Sequence, residues 1–341
     1  MPELNIAIDA MGGDNGPSIV IEALERAVST YPNTHFTVFG HKDQINPLLK
    51  QYNLNESNAV SLVHAEQTIL MDDKPGQSLR SKPNSSMRLA LQALANEQCH
   101  AMVCGGNTGA LMTNAYFTVK TLPGVLRPAL MTAIPNRVGG KSFLLDLGAN
   151  ASCDSDTLFQ FGVMGSVAAE HLLNIEKPKI SLLNMGEEEI KGSDVVRNAA
   201  VRLSQCEGLN YNGFIEGNHL FSGRSDVIVC DGFVGNIALK SCEGLATFII
   251  EQMRDTLNSH WLYRFFFKFL QRRTHKSWDR LKPDHYNGAS LIGLRQVVIK
   301  SHGSANAEAF YSAIQQAVAE AHEQLPDRIK NRVEAVLSEQ P

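Results

Sequence analysis

Six times in this chain a short apolar run breaks off into glycine and polar residues, and the groups left at those breaks suit an anion. The breaks are Asp9-Ala10-Met11-Gly12-Gly13-Asp14, Cys104-Gly105-Gly106-Asn107-Thr108-Gly109, Asp146-Leu147-Gly148-Ala149-Asn150, Asn184-Met185-Gly186-Glu187-Glu188-Glu189, Cys230-Asp231-Gly232-Phe233-Val234-Gly235-Asn236 and Lys300-Ser301-His302-Gly303-Ser304. They offer backbone N–H groups, the donors Asn107, Thr108, Asn236, Ser301 and Ser304, and the cations Lys191 and Lys300, with Arg127 a further candidate. Asp9, Asp231, Glu187, Glu188 and His302 add titratable groups. This inventory fits an anionic substrate, above all a phosphate held by helix N-termini. Each acid serves equally well as an acceptor for the N–H groups of its own turn.

Each break reads as strand, tight glycine turn, helix. In an open α/β sheet ligands bind at the carboxyl ends of strands, so six such junctions predict one polar, glycine-lined crevice. Between them the apolar period predicts helices over 19–28, 41–51, 87–95, 154–171 and 193–204, and strands over 36–39 and 59–64. Residues 71–86 read as a long Pro-, Gly- and Ser-containing loop, with Ser85 or Ser86 as the next helix cap. A helical pattern starts near Asn236 and continues to about 278 as two helices. Inside it Phe265, Phe266 and Phe269 lie on an aromatic face beside Arg264, Lys268 and Arg272, with Arg273 following. One reading is an interfacial helix that lies on anionic membrane or docks an acidic partner. A dimer-packing or core helix with solvated cations is the other.

A chain of 341 residues can bury a large core, and its 43% hydrophobic and 19% charged content describe a globular protein. A net charge of −4 argues against a dedicated nucleic-acid binder. The six cysteines include no CxxC pair and no zinc spacing, which predicts free thiols. His302 lacks a second ligand at metal spacing, so no metal is expected. The first residues enter a strand directly, and no uninterrupted apolar run is long enough to span a bilayer; a cytoplasmic protein is expected. Gly139-Gly140-Lys141-Ser142 is not a P-loop, since Pro135 stands where its first glycine belongs. Gly12-Gly13 and Gly105-Gly106 lack the partner glycine of a dinucleotide site. No G-x-S-x-G elbow supports a serine nucleophile.

The six junctions, taken in order and with their spacing, resemble the PlsX family, the bacterial acyl-carrier-protein:phosphate acyltransferases of phospholipid synthesis. The similarity spans nearly the whole chain, with Cys104-Gly105 standing where Ser-Ala is commoner. It implies an α/β fold: a Rossmann-like three-layer α/β/α sandwich, isocitrate/isopropylmalate dehydrogenase-like. We expect one large domain over 1–341 with an amphipathic helical protrusion at 245–285. It also implies acyl transfer from acyl-carrier protein to inorganic phosphate without a cofactor, a homodimer, and loose association with the inner face of the membrane. The membrane-bound glycerol-phosphate acyltransferase would act next.

On that resemblance Gly105, Gly106, Asn107, Thr108 and Gly109 would cradle phosphate, with Lys191 as counter-charge. Asp231 or His302 would take the phosphate proton, and Asn236 or Ser304 would polarise the carbonyl. Asp9, Gly12, Gly13, Glu187, Glu188, Gly232, Gly235, Lys300 and Ser301 would complete the substrate site. Arg264, Phe265, Phe266, Lys268, Phe269, Arg272 and Arg273 would meet carrier protein or membrane. Phosphate is itself the nucleophile and a thiolate leaves easily, so alignment and oxyanion stabilisation suffice. The rivals are a dehydrogenase of related fold, an acetyl-phosphate-forming enzyme using coenzyme A, and a non-catalytic membrane adaptor.

Overall fold

The computed structural model describes residues 4–258 and 286–338; Arg264, Phe265, Phe266, Lys268, Phe269, Arg272 and Arg273 lie outside the described residues. The first half of the chain alternates strand and helix: β1 (Leu4–Asp9), α1 (Gly16–Thr30), β2 (Thr34–Gly40), α2 (Lys42–Gln51), β3 (Val60–His64), α3 (Pro75–Ser81), α4 (Ser86–Ala95), β4 (Ala101–Cys104) and α5 (Thr108–Thr118). Then come β5 (Ala129–Pro135), β6 (Lys141–Leu145), α6 (Ser155–Leu172), β7 (Lys179–Leu183), α7 (Asp194–Gln205), β8 (Asn210–Ile215), β9 (Val227–Val229) and α8 (Gly232–Asn258). The described chain ends with β10 (Ala289–Ile292), β11 (Val297–Lys300), α9 (Ala307–His322) and α10 (Leu325–Ser338).

Among the described residues eleven strands form one sheet in the order β3-β2-β1-β4-β11-β10-β5-β6-β9-β7-β8. The first five run parallel, and β6, β9, β7 and β8 run parallel to one another. Between the groups β11–β10, β10–β5 and β5–β6 are all antiparallel, so the two halves point in opposite directions. A single register row nevertheless crosses every strand: Leu62, Val38, Ile8, Val103, Ile299, Ser290, Met131, Leu145, Val229, Leu182, Phe214. The carboxyl ends of β1, β4 and β11 and those of β6, β9 and β7 all fall on this row or one residue past it. Strands from both halves therefore deliver their following turns to one line.

Side-chain alternation sorts the core into layers. Ile6 and Ile8 of β1 pack with α1 and α9, while Ala7 faces the layer of Met87, Leu91 and Leu111 from α4 and α5. In the other half Phe143 and Leu145 pack with α6 and α10, while Leu144 and Ile228 continue the α4–α5 layer. The sheet is thus sandwiched between helices, the three-layer α/β arrangement expected. The central parallel strands β4, β9 and β11, buried on both faces, read as apolar runs without polar alternation, whereas the edge strands β3 and β8 alternate and are partly exposed.

Local details refine the expectations. Residues 71–86 contain a short helix, α3, opened by Pro75 at its first turn. Strand β5 lies in the proline-broken stretch, where its apolar Ala129–Ile134 is bounded by Pro128 and Pro135. Helix α8 starts at Gly232 instead of near Asn236, because Asp231 caps it, its Oδ1 accepting from Val234 N at 2.8 Å. Its stretch Gly232–Met253 is long and apolar enough to cross a membrane by length and composition alone and is 6% buried, although Lys240 and Glu243 interrupt it, so it is not an uninterrupted apolar run.

Candidate active site

Three junctions of the first half converge into one nest. Asp9, Cys104 and Lys300 occupy matched register positions on β1, β4 and β11, so their side chains project from the same face of the sheet. All three are buried. Cys104 Sγ donates to Asp9 Oδ2 at 3.0 Å and accepts from Gly106 N at 3.2 Å. Lys300 Nζ donates to Gly105 O at 3.3 Å and to Ser301 O. Burial pushes the Asp9 carboxyl up, against the pull of its hydrogen bonds from Cys104, Ser86, Met11 and Gly12. Burial pushes the Lys300 ammonium down, aided by Lys240 and opposed by Cys104, Asp14 and Asp9. The Cys104 thiol lies well above its usual range, first because it is buried and second because Asp9 is beside it.

The backbones above these side chains touch. A Cβ on Gly12 would stand 2.5 Å from Gly106 N, and one on Gly13, whose φ is +97°, 3.0 Å from Gly303 O. Asp14 N donates to Gly303 O at 2.8 Å. Such close approach of three turns is what glycine permits and other residues forbid. On the rim, His302 Nδ1 lies 2.9 Å from Ser304 Oγ, and His302 Nε2 lies 3.3 Å from Lys240 Nζ of α8. Asn287, which carries no motif that would single it out, fixes this rim. Its Oδ1 accepts from His302 N at 2.8 Å, and its Nδ2 donates to Ser301 Oγ at 2.8 Å and Ala309 O at 2.7 Å.

The segment before α4 closes one side of the nest. Asn107 caps α5 through Oδ1 to Ala110 N at 2.9 Å, while its Nδ2 donates to Met71 O at 2.6 Å and Asp73 O at 3.1 Å. Asp73 is fastened to Lys82 Nζ at 2.5 Å and accepts from Leu70 N at 2.7 Å. The Lys82 ammonium, first of its causes, draws the Asp73 carboxyl below the usual range. Pro75 of α3 covers Gly109, and the Met71 methyl covers Gly303. Asn107, expected at the substrate, also serves as clamp and cap, and Ser301 Oγ and Gly106 N have partners within the protein. Thr108 and Gly109 open α5 beneath the clamp.

A second nest forms from the other half. Asp146, buried, accepts from Leu130 N, Ala149 N, Asn150 N and Asn150 Nδ2 at 2.7–2.9 Å. These bonds lie at the turn after β6, and Gly232 and Gly235 of α8 pack on Asn150 O and Asp146 O. Asn236 stands beside Gly148, whose φ is +116°. Asp231, a candidate base, is occupied as the α8 cap. Arg127 is exposed; its charge is a minor influence on Asp154, which the Thr157 hydrogen bonds hold below the usual carboxylate range, and on Cys153, which burial pushes up to about 12. Asp146 and Cys230 project into the α4–α5 layer, the same face as Asp9, Cys104 and Lys300. Helix α8 starts at this nest and carries Lys240 to His302, so it links the two.

The remaining junction stands apart. Glu187 pairs with Arg224 at 3.0 Å and His219 at 3.8 Å, and Asn184 donates to Lys191 O at 3.1 Å. Glu188 and Lys191 are exposed, with Lys191 N bonded to Glu188 O at 3.0 Å. The six junctions thus make two nests joined by a helix, with the Asn184–Gly192 loop bonded within itself and to Arg197, Arg224 and His219. Sequence reasoning missed Lys240. Its spacing of four from Asn236, on the helix that leaves a glycine junction, was the available signal.

The comparisons with known proteins agree with this architecture. The profile of the family described as "Fatty acid synthesis protein" matches residues 4–328. The "Phosphate acyltransferase" of Idiomarina loihiensis is 82% identical over 340 residues, covering 100% of both chains. The chain belongs to the PlsX family of phosphate acyltransferases. Its similarity to the family extends to the "Phosphate acyltransferase" of Shewanella baltica, 47% identical over 99% of this chain and 98% of that one. Among solved structures this PlsX-family chain shares its fold with a phosphotransacetylase from Streptococcus pyogenes, at a TM-score of 0.64, 15% identity and 95% of each chain. A branched-chain phosphotransacylase from Enterococcus faecalis gives a TM-score of 0.60 at 16% identity, over 94% of this chain and 99% of that one.

Proposed function

We propose that this enzyme transfers a long-chain fatty acyl group from acyl-carrier protein to inorganic phosphate, releasing an acyl phosphate for phosphatidic acid synthesis. The observation that carries the reading is the first nest. Buried Lys300 lies beneath backbone turns that only glycine allows so close together, with His302 and Ser304 on the rim and the α5 N-terminus beside them. A fixed cation and helix N–H groups hold a phosphate without cofactor. Phosphate then attacks the thioester carbonyl, the C–S bond breaks, and the carrier thiolate leaves. The protein supplies alignment and charge stabilisation for the tetrahedral oxyanion.

Within this reading Lys300 and the Gly12–Gly13 and Gly105–Gly106 turns face phosphate, and Ser304 faces the carbonyl oxygen. Asn236 and Gly232 of the second nest lie toward the acyl side. Lys191, Glu187 and Glu188 belong to an outer loop that would meet substrate only on closure over the nests. Exposed Phe233, Ile237, Leu245, Phe248, Ile249 and Ile250 along α8 support an apolar contact there. We assign it to the membrane surface or the second subunit of a homodimer; of the protrusion expected at 245–285, only 245–258 lie among the described residues. Cytoplasmic location at the inner membrane face, close to a glycerol-phosphate acyltransferase, follows from that assignment.

The deciding experiment mixes purified protein with long-chain acyl-carrier protein and phosphate, and follows free carrier thiol and acyl phosphate together. Phosphate-dependent appearance of both in equal amounts is expected. Turnover of coenzyme A thioesters alone would move the donor assignment to a small thioester, and no turnover with either donor would sink the reading.

A further inference from the structure

The cation nearest His302 sits two turns into a helix, and its chemistry dictates the state of the imidazole. Lys240 Nζ donates to Glu243 Oε2 at 2.7 Å and lies 3.3 Å from His302 Nε2. An ammonium group has only donors to offer. Nε2 must therefore accept, which places the ring proton on Nδ1. Nδ1 is 2.9 Å from Ser304 Oγ, which accepts in turn and directs its own hydroxyl hydrogen away from the ring. The opposite tautomer would set an N–H against the ammonium. The Ser304 N–H also points at Nδ1, at 3.3 Å, and loses that acceptor in this tautomer; the shorter Nδ1–Ser304 Oγ contact and the ammonium on Nε2 outweigh it.

We propose that Lys240 is a positioning residue: through the His302 imidazole it aims the Ser304 hydroxyl hydrogen at an anionic oxygen held over the first nest. The inference rests on reading that nest as the phosphate and carbonyl site. No proton moves along the chain of bonds. Each bond polarises the next, so the hydroxyl at its end becomes a stronger donor than a lone serine. His302 is then not the base that takes the phosphate proton, since Nε2 is engaged by the ammonium and Nδ1 already carries hydrogen.

The charged groups facing the ring are Lys240 and Glu243 from α8, Lys300 from β11 and Asp14 from the turn after β1. Burial first, then Lys240 and Lys300, hold His302 below its ordinary 6.5 against Glu243 and Asp14. The neutral ring required for the relay persists through neutral pH and is lost as pH falls through the lowered value. Protonation at Nε2 would set two cations face to face and release Lys240.

The test combines spectra of the full-length protein carrying 15N-labelled histidine with steady-state rates across pH. In the unmodified protein His302 should carry its proton on Nδ1 and titrate below 6.5. Lys240→Met should shift the tautomer towards Nε2–H and raise the titration midpoint. It should lower kcat roughly tenfold, with a smaller change in KM for phosphate. Lys240→Arg should restore the tautomer and most of the rate. An unchanged tautomer and midpoint in Lys240→Met overturns the relay, and a shifted tautomer with unchanged kcat overturns its positioning role. Ser304→Ala separates the two levels of the argument. Full turnover in Ser304→Ala sinks the reading of the nest as the carbonyl site, whereas a slow Ser304→Ala beside an unaffected Lys240→Met sinks the relay alone.

Discussion

The Cys104 thiol donates to Asp9 Oδ2 at 3.0 Å, joining two buried side chains at matched positions on neighbouring parallel strands. A buried carboxyl that loses a donor keeps its desolvation cost and forfeits the bond. Cys104→Val, close in volume but unable to donate, should destabilise by about 1–3 kcal/mol in urea unfolding. Cys104→Ser keeps the donor and should cost markedly less. Equal losses in the two variants would mean that packing, not the bond, is what the position supplies.

Glu320 of α9 lies fully buried against β10, accepting from Ser290 Oγ at 2.7 Å and Gln316 Nε2 at 2.7 Å. Burial raises its carboxyl from 4.5 to about 7, against those two bonds. With the folded value above the unfolded one, the stability tied to the proton is complete below 4.5 and is lost as pH rises through about 7. Glu320→Gln removes this titration. Its stability relative to the unmodified protein should therefore improve between pH ~4.5 and ~8 by about 3 kcal/mol. Denaturant curves at both ends of that range measure it, and a constant difference would contradict the assignment.

Asn107 does two things that substitution can separate. Asn107→Asp keeps the acceptor for Ala110 N but loses the donors to Met71 O and Asp73 O. Asn107→Ala loses both functions. Hydrogen exchange should show the 70–82 segment opening in both variants, while the first turn of α5 frays only in Asn107→Ala, by about 1 kcal/mol. Protection of residues 70–82 that survives in Asn107→Asp would remove the clamp from the argument.

Glycines along one helix should respond oppositely to the same change. A Cβ on Gly235 would fall on the Asp146 carbonyl oxygen, which is backbone and cannot yield, whereas one on Gly244 meets nothing within 4 Å. Gly235→Ala should cost about 4 kcal/mol or more, or fail to fold. Gly244→Ala, in the helix interior, should stabilise by about 0.5–1 kcal/mol. Thermal unfolding of the pair decides.

The α/β class and the glycine junctions were legible because both are local: apolar runs set strands, and Asp154, Ser193 and Asn107 cap the helices that follow. Strand β5 was hidden because prolines bound it on both sides and one of its two antiparallel partners, β10, lies far along the chain. The capping duties of Asn107 and Asp231 were not legible because a residue type cannot reveal whether its amide or carboxylate is already spent on a cap. Lys240 was missed for the reverse reason. Its meaning comes from His302, 62 residues away, and only the fold brings them together.

The reversal of strand direction across β10 and β5 also shapes the electric field. Helices α5 and α8 follow strands that run oppositely, and each turns its N-terminus, the positive end of its peptide dipole, to one of the two nests. That contribution fades within the first turn, so far from the surface a solute senses the net charge of −4. Close to the row where both N-termini meet, the contributions add. On the proposed reading the enzyme is a short-range trap that retains an anion once it has arrived and does little to draw one in. Ionic strength should therefore alter capture of a charged carrier more than retention of the small anion.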